Sequence, residues 1–154
     1  MTRTELETSV NECTAQVLER MFFLRAHGET ESPAFLAHSG VVCEVNFDGS
    51  PSGRLAIWVS LQAAWFIAAN FLGKDSGELA ELEVSQVVCE LANMICGAVL
   101  SRIESGTTFS LGSPRLLSGW NPSGADALVR LAIPDAGDLA VILSIERPVC
   151  PMSA

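Results

Sequence analysis

The chain has 154 residues, about one domain's worth, of which 49% are hydrophobic and 18% charged; this is enough to bury a real core and too apolar for a disordered segment. Nine Lys+Arg against eighteen Asp+Glu give a net charge of −9, and Lys74 is the only lysine. That balance excludes a general nucleic-acid binder, which needs a basic face to release counterions from phosphates, and argues against docking on an anionic membrane.

Residues 4–24 have the spacing of an amphipathic helix, with Leu6, Val10, Cys13, Val17, Met21 and Leu24 three or four apart. His27 to Ser39 is loop by composition. Val41 to Phe47 alternates like a strand, Asp48 to Gly53 is dense in turn residues, and Leu55 to Val59 resumes as a strand, which predicts a hairpin. The segment from Leu55 to Gly73 carries no charge and approaches the length of a bilayer span. Ser60, Gln62 and Asn70 interrupt it, and its character changes at Ser60, an N-cap residue. It reads as a buried strand running into a helix over 61–72 that stops at Gly73.

A long helix is predicted over 79–104. Beyond it, Phe109 to Gly119 is extended and broken by Pro114, and Ala125 to Ile133 pairs with Leu139 to Ile145 through the turn residues Pro134 to Gly137. Strands clustered together, rather than alternating with helices, predict an α+β fold: an antiparallel sheet packed against long helices, in a single domain spanning 1–154. Apolar strands in a small sheet leave an edge that invites a second copy, so a homodimer is expected.

The five cysteines, Cys13, Cys43, Cys89, Cys96 and Cys150, form no Cys-x-x-Cys pair and no zinc-like cluster, so no metal site is expected. The N-terminal residues contain no apolar signal stretch, and a cytoplasmic home with thiols acting as small buried hydrophobes is the expectation. Cys89 and Cys96 share a helical face two turns apart, too far for a disulfide. His27 and His38 lack triad spacing, and Trp58, Trp65 and Trp120 are expected in the core or at an interface.

The long helix carries the chemistry. Val84, Val88, Leu91, Ile95 and Ala98 form its core stripe, and the middle turns are apolar almost all round. Yet Gln86, Glu90, Asn93, Gly97 and Ser101 fall on one polar stripe, which sets Glu90 and Asn93 side by side over one turn. Gly97, costly in a helix interior by up to about 1 kcal/mol, leaves room for something to approach that face. A solvated stripe with a tolerated glycine accounts for these residues too. A carboxylate beside an amide is also a workable hydrolytic pair, the amide holding a water and the carboxylate holding a partner's cation.

The run Glu90-Leu-Ala-Asn93-Met-Ile-Cys-Gly97, with Pro114 downstream, resembles the signature of the CheC/CheX/FliY chemotaxis phosphatases, and the CheX-like branch in particular. The element order agrees over most of the chain, while the motif itself covers about 30 residues. Gln86 stands where family members often carry Asp or Ser, and the interval from Asn93 to Pro114 is slightly short. No Glu-x-x-Asn occurs on the first helix, where Glu5, Glu7 and Glu12 are followed three later by Thr8, Val10 and Ala15.

The resemblance implies removal of phosphate from the aspartate of a CheY-like response-regulator receiver domain. Asn93 would orient the attacking water and Glu90 would pair with the regulator's active-site lysine, with Gln86 and Gly97 meeting the partner on the same stripe. The chain would need no cofactor of its own, Mg²⁺ being the regulator's. It also implies a homodimer. The alternative is a non-catalytic adaptor that binds receiver domains without hydrolysis.

Overall fold

The computed structural model describes residues 2–28, 40–103 and 108–146. Helix α1 is Arg3–Phe22, followed by the short strand β1 (His27–Gly28), the hairpin β2 (Gly40–Asp48) and β3 (Ser52–Ser60), and helices α2 (Leu61–Leu72) and α3 (Glu81–Ile103). Strands β4 (Ser110–Leu111), β5 (Arg115–Leu117), β6 (Ala127–Ile133) and β7 (Gly137–Glu146) complete the order. The expected α+β fold is what forms. The loop predicted over His27 to Ser39 begins instead as strand β1, because His27 and Gly28 pair with Ala132 and Leu131 of β6; its remainder with His38, the end of the long helix at Glu104, and Cys150 lie outside the described residues.

All strands join one antiparallel sheet in the order β1-β6-β7-β3-β2, and both β4 and β5 pair with β2 at the far edge. That edge strand is broken between Leu111 and Arg115. Pro114 has no N–H to donate to the ladder, so pairing restarts at Arg115, opposite Glu44.

The uncharged run from Leu55 divides as its chemistry predicts. Leu55, Ile57 and Val59 point into the main core beneath the helices, while Ala56 and Trp58 are buried on the opposite face. There Trp120 packs on the small clusters around Trp58 and Ile142. A central strand buried on both faces needs apolar residues at every position, which is why it resembles a membrane segment. Ser60 then caps α2 by accepting from Ala63 N at 3.2 Å, and Gly73, at φ 65°, closes it in the left-handed conformation that glycine adopts without strain.

Helix α1 departs from expectation at its end. Phe23, at φ 58°, stops the helix, and Leu24 N donates back to Leu18 O at 3.0 Å. The buried stripe has by then drifted to Leu18 and Phe22, whose ring lies 4.8 Å from that of Phe71, so Met21 is 47% exposed rather than in the core. Its start carries a capping box: Thr2 Oγ1 accepts from Glu5 N at 3.1 Å and Thr2 N donates to Glu5 at 2.8 Å.

Helix α3 lies across the sheet between α1 and α2. Val84, Val88, Leu91 and Ile95 are buried as expected, and each such side chain contributes roughly 1.5–3 kcal/mol. Length and composition alone would let α3 cross a membrane, but half of that apolar window is buried in this domain, with Val84, Val88, Leu91 and Ile95 in its core.

Candidate functional site

Helix α3 is fixed at both ends by charged contacts. At its start Glu83 accepts from Ala80 N at 3.1 Å and from Lys74 Nζ at 2.8 Å; the ammonium holds the Glu83 carboxyl below the ordinary carboxylate range. At its end Arg102 pairs with Glu12 of α1. Between these ties the buried stripe presses the helix onto the sheet, and the opposite stripe is presented outward as a consequence.

On that stripe Gln86, Glu90 and Ser101 are exposed, and Asn93 and Gly97 are half-buried. All four candidate site residues therefore share the outer surface of one helix. Three-residue spacing sets the Glu90 and Asn93 Cβ atoms about 5–6 Å apart. Among the described residues, neither side chain makes a hydrogen bond or ion pair, so carboxylate and amide are both open to an incoming group. A Cβ built on Gly97 meets nothing within 4 Å, so the glycine leaves a shallow step beyond Asn93 rather than filling a packing need.

A cleft of about 290 Å³ flanks the pair, lined by Phe71, Leu72, Glu83, Gln86, Val87 and Glu90. The contribution of α2 was not legible in the sequence. Phe71 and Leu72 read there as ordinary helix residues before a C-cap, and only the packing of α2 beside α3 brings them to Gln86 and Glu90. A larger depression of about 470 Å³ lies between α1 and β6, lined by Glu7, Asn11 and Arg130 among others, and includes neither Glu90 nor Asn93. The site on α3 is an open helix surface beside a shallow cleft rather than an enclosed cavity.

The cysteines correct one expectation. Cys13, Cys43 and Cys96 are buried, and burial pushes the Cys96 thiol up to about 12. Cys89, however, is half-buried on α3, and its Sγ accepts a hydrogen bond from Cys43 of β2 at 2.9 Å. It is not an inert packing group, because the helix sets it against a second thiol that local spacing cannot reveal. Among the described residues no group of three or more His, Cys, Asp or Glu gathers to hold a metal. His27 is exposed, and Trp58 is in the core as expected, while Trp65 and Trp120 are half-buried against it.

The α+β fold that carries this pair is shared by several solved chemotaxis proteins. CheX from Vibrio vulnificus superposes with a TM-score of 0.74 at 22% identity, covering 95% of this chain and 99% of that one. The CheX of a CheX–CheY–BeF3–Mg²⁺ complex from Borrelia burgdorferi superposes at 0.67 and 21% identity, covering 91% and 97%. FliY from Thermotoga maritima follows at 0.53 and 17%, covering 91% and 90%. No curated protein matches the sequence significantly. The profile of the family described as chemotaxis phosphatase CheX matches residues 41–134, more than half of the chain. The chain belongs to the CheX family of chemotaxis phosphatases.

Proposed function

We propose that the chain hydrolyses the aspartyl phosphate of a CheY-like receiver domain, using Asn93 and Glu90 on the partner's active site. The observation that carries this reading is the pair itself: an amide and a carboxylate, adjacent and unpartnered, on the outer stripe of a helix held at both ends. Family membership supports it, as does the Borrelia burgdorferi complex, in which a CheX of the same fold is bound with CheY, BeF3 and Mg²⁺.

Phosphoryl transfer asks for positioning and charge stabilisation rather than a covalent nucleophile. Asn93 holds a water in line with the phosphorus, its carbonyl accepting from the water. Glu90 pairs with the receiver's active-site lysine and sets the register of α3. The metal is the receiver's, and neutralises the phosphoryl oxygens there. Gln86 and the step at Gly97 meet the receiver on either side of the pair. The protein works in the cytoplasm, where receivers are phosphorylated, and as a two-fold homodimer. Sedimentation at tens of micromolar tests the latter, a monomer alone counting against it.

The test is the lifetime of phosphate on a purified receiver with and without the chain. Shortening in proportion to catalytic amounts of the chain supports the reading. Binding with an unchanged lifetime makes the protein an adaptor instead.

A further inference from the structure

The contact between α3 and β2 contains two sulfurs facing one another. The Cys43 thiol, fully buried on the inward face of β2, donates to Cys89 Sγ across 2.9 Å, only about 1 Å longer than a sulfur–sulfur bond. The hydrogen bond with Cys89, together with burial, pushes the Cys43 thiol up. Accepting that same bond brings Cys89 below the ordinary thiol value, against the opposing effect of burial. Cys89 is half-buried and reachable from solvent, whereas Cys13 and Cys96 are enclosed and their thiols raised. A reachable sulfur with a stabilised thiolate, beside a buried thiol within bonding reach, has the geometry of an attacking and a resolving cysteine.

We propose that Cys43 and Cys89 are an oxidant-responsive pair whose reversible disulfide fastens α3 to β2 at the turn presenting Asn93. With a peroxide as oxidant, the Cys89 thiolate attacks one peroxide oxygen and the O–O bond breaks. Cys89 becomes the sulfenic acid, and the departing hydroxide is protonated to water. Cys43 then loses its proton and attacks the Cys89 sulfur, expelling the sulfenic oxygen as a second water. Two thiols thus lose two protons and two electrons to one peroxide, giving one S–S bond and two waters. A dithiol reductant reverses the bond by exchange.

The functional consequence rests on the phosphatase reading. Asn93 stands four residues after Cys89, one turn on along the same side of α3. Bond formation draws the two sulfurs together by about 1 Å, and a misplacement of that size at a positioning group can cost about 10²-fold in rate.

The experiment treats the purified full chain with equimolar hydrogen peroxide. The product is digested without reduction for mass spectrometry, and phosphorylated-receiver lifetime is measured on the same sample before and after dithiothreitol. The expected result is a Cys43–Cys89 linked peptide and a fall of at least about tenfold in phosphate release, both reversed by dithiothreitol. Cys89→Ser, which keeps a hydrogen-bonding group at this half-buried position, should form no linked peptide and lose no activity to peroxide. Irreversible oxidation of Cys89 without linkage, or linkage to Cys13, Cys96 or Cys150 instead, overturns the pair. A linked chain as active as the reduced one overturns the coupling to Asn93. If the reduced chain never shortens the phosphate lifetime, the phosphatase reading fails, and the linked peptide still decides the thiol pair.

Discussion

Arg115 donates two hydrogen bonds to one oxygen of Glu44, from Nη2 at 2.7 Å and Nε at 3.2 Å, joining the strand that follows Pro114 to a carboxylate whose side chain is 5% exposed. Arg54, across the hairpin, takes the other oxygen at 2.8 Å. Burial pushes the Glu44 carboxyl up, but the hydrogen bonds and charges of Arg115 and Arg54 outweigh it and hold the group below the ordinary range. The triad fixes the broken edge strand to β2, the strand whose Cys43 meets α3.

Glu44→Gln should therefore destabilise the fold by about 1–3 kcal/mol at neutral pH, since two arginines lose a charged acceptor but remain partly solvated. A carboxylate with a depressed folded pKa stabilises above its unfolded value, about 4.3, and that contribution fades as pH falls through the lower folded value. Denaturation midpoints of parent and variant should diverge at neutral pH and converge as the pH drops below about 4. A difference independent of pH would deny Glu44 the role of a paired charge.

Gly97→Ala should stabilise the chain by roughly 0.5–1 kcal/mol, because alanine restricts the unfolded chain and its methyl meets open space here. Gly97→Trp should also fold, but weaken receiver binding by tenfold or more by filling the step beside Asn93. Thermal melts and receiver titration separate the two effects, and a Trp variant that binds like the parent removes Gly97 from the interface.

Glu90→Ala should lower affinity for the phosphorylated receiver as well as the rate, since the part proposed for it is to pair with a lysine of the partner. Glu90→Lys should do so more severely, through like-charge repulsion. Equal affinities for the parent and both variants, measured by titration, would take that pairing out of the account.

What could be read from the sequence was what depends on neighbours along the chain. Ser60 and Gly73 bound α2 because caps act within one turn, and the spacing of Gln86, Glu90, Asn93 and Gly97 set their common face because helical period alone decides it. Pro114 marked the break in the edge strand through its missing N–H. The relations that escaped are between elements. Glu44 meets Arg115 only once β5 takes its register on β2, and Cys89 meets Cys43 only once α3 crosses that strand. Phe71 and Leu72 reach Gln86 only through the packing of α2 on α3. Met21 was misplaced because Phe23 turns the chain and the ring of Phe71 selects Phe22.

The central claim is that Asn93 positions the hydrolytic water, and the lifetime of receiver phosphate against Asn93→Ala tests it most directly. The substitution removes an outward amide from a helix and gains helix propensity, so folding should be almost untouched. Loss of one transition-state positioning group typically costs about 10²-fold or more, while one amide adds little to ground-state binding. The account predicts that Asn93→Ala binds the phosphorylated receiver as the parent does and leaves its phosphate lifetime close to that of the receiver alone. A variant that shortens the lifetime as well as the parent does would contradict it.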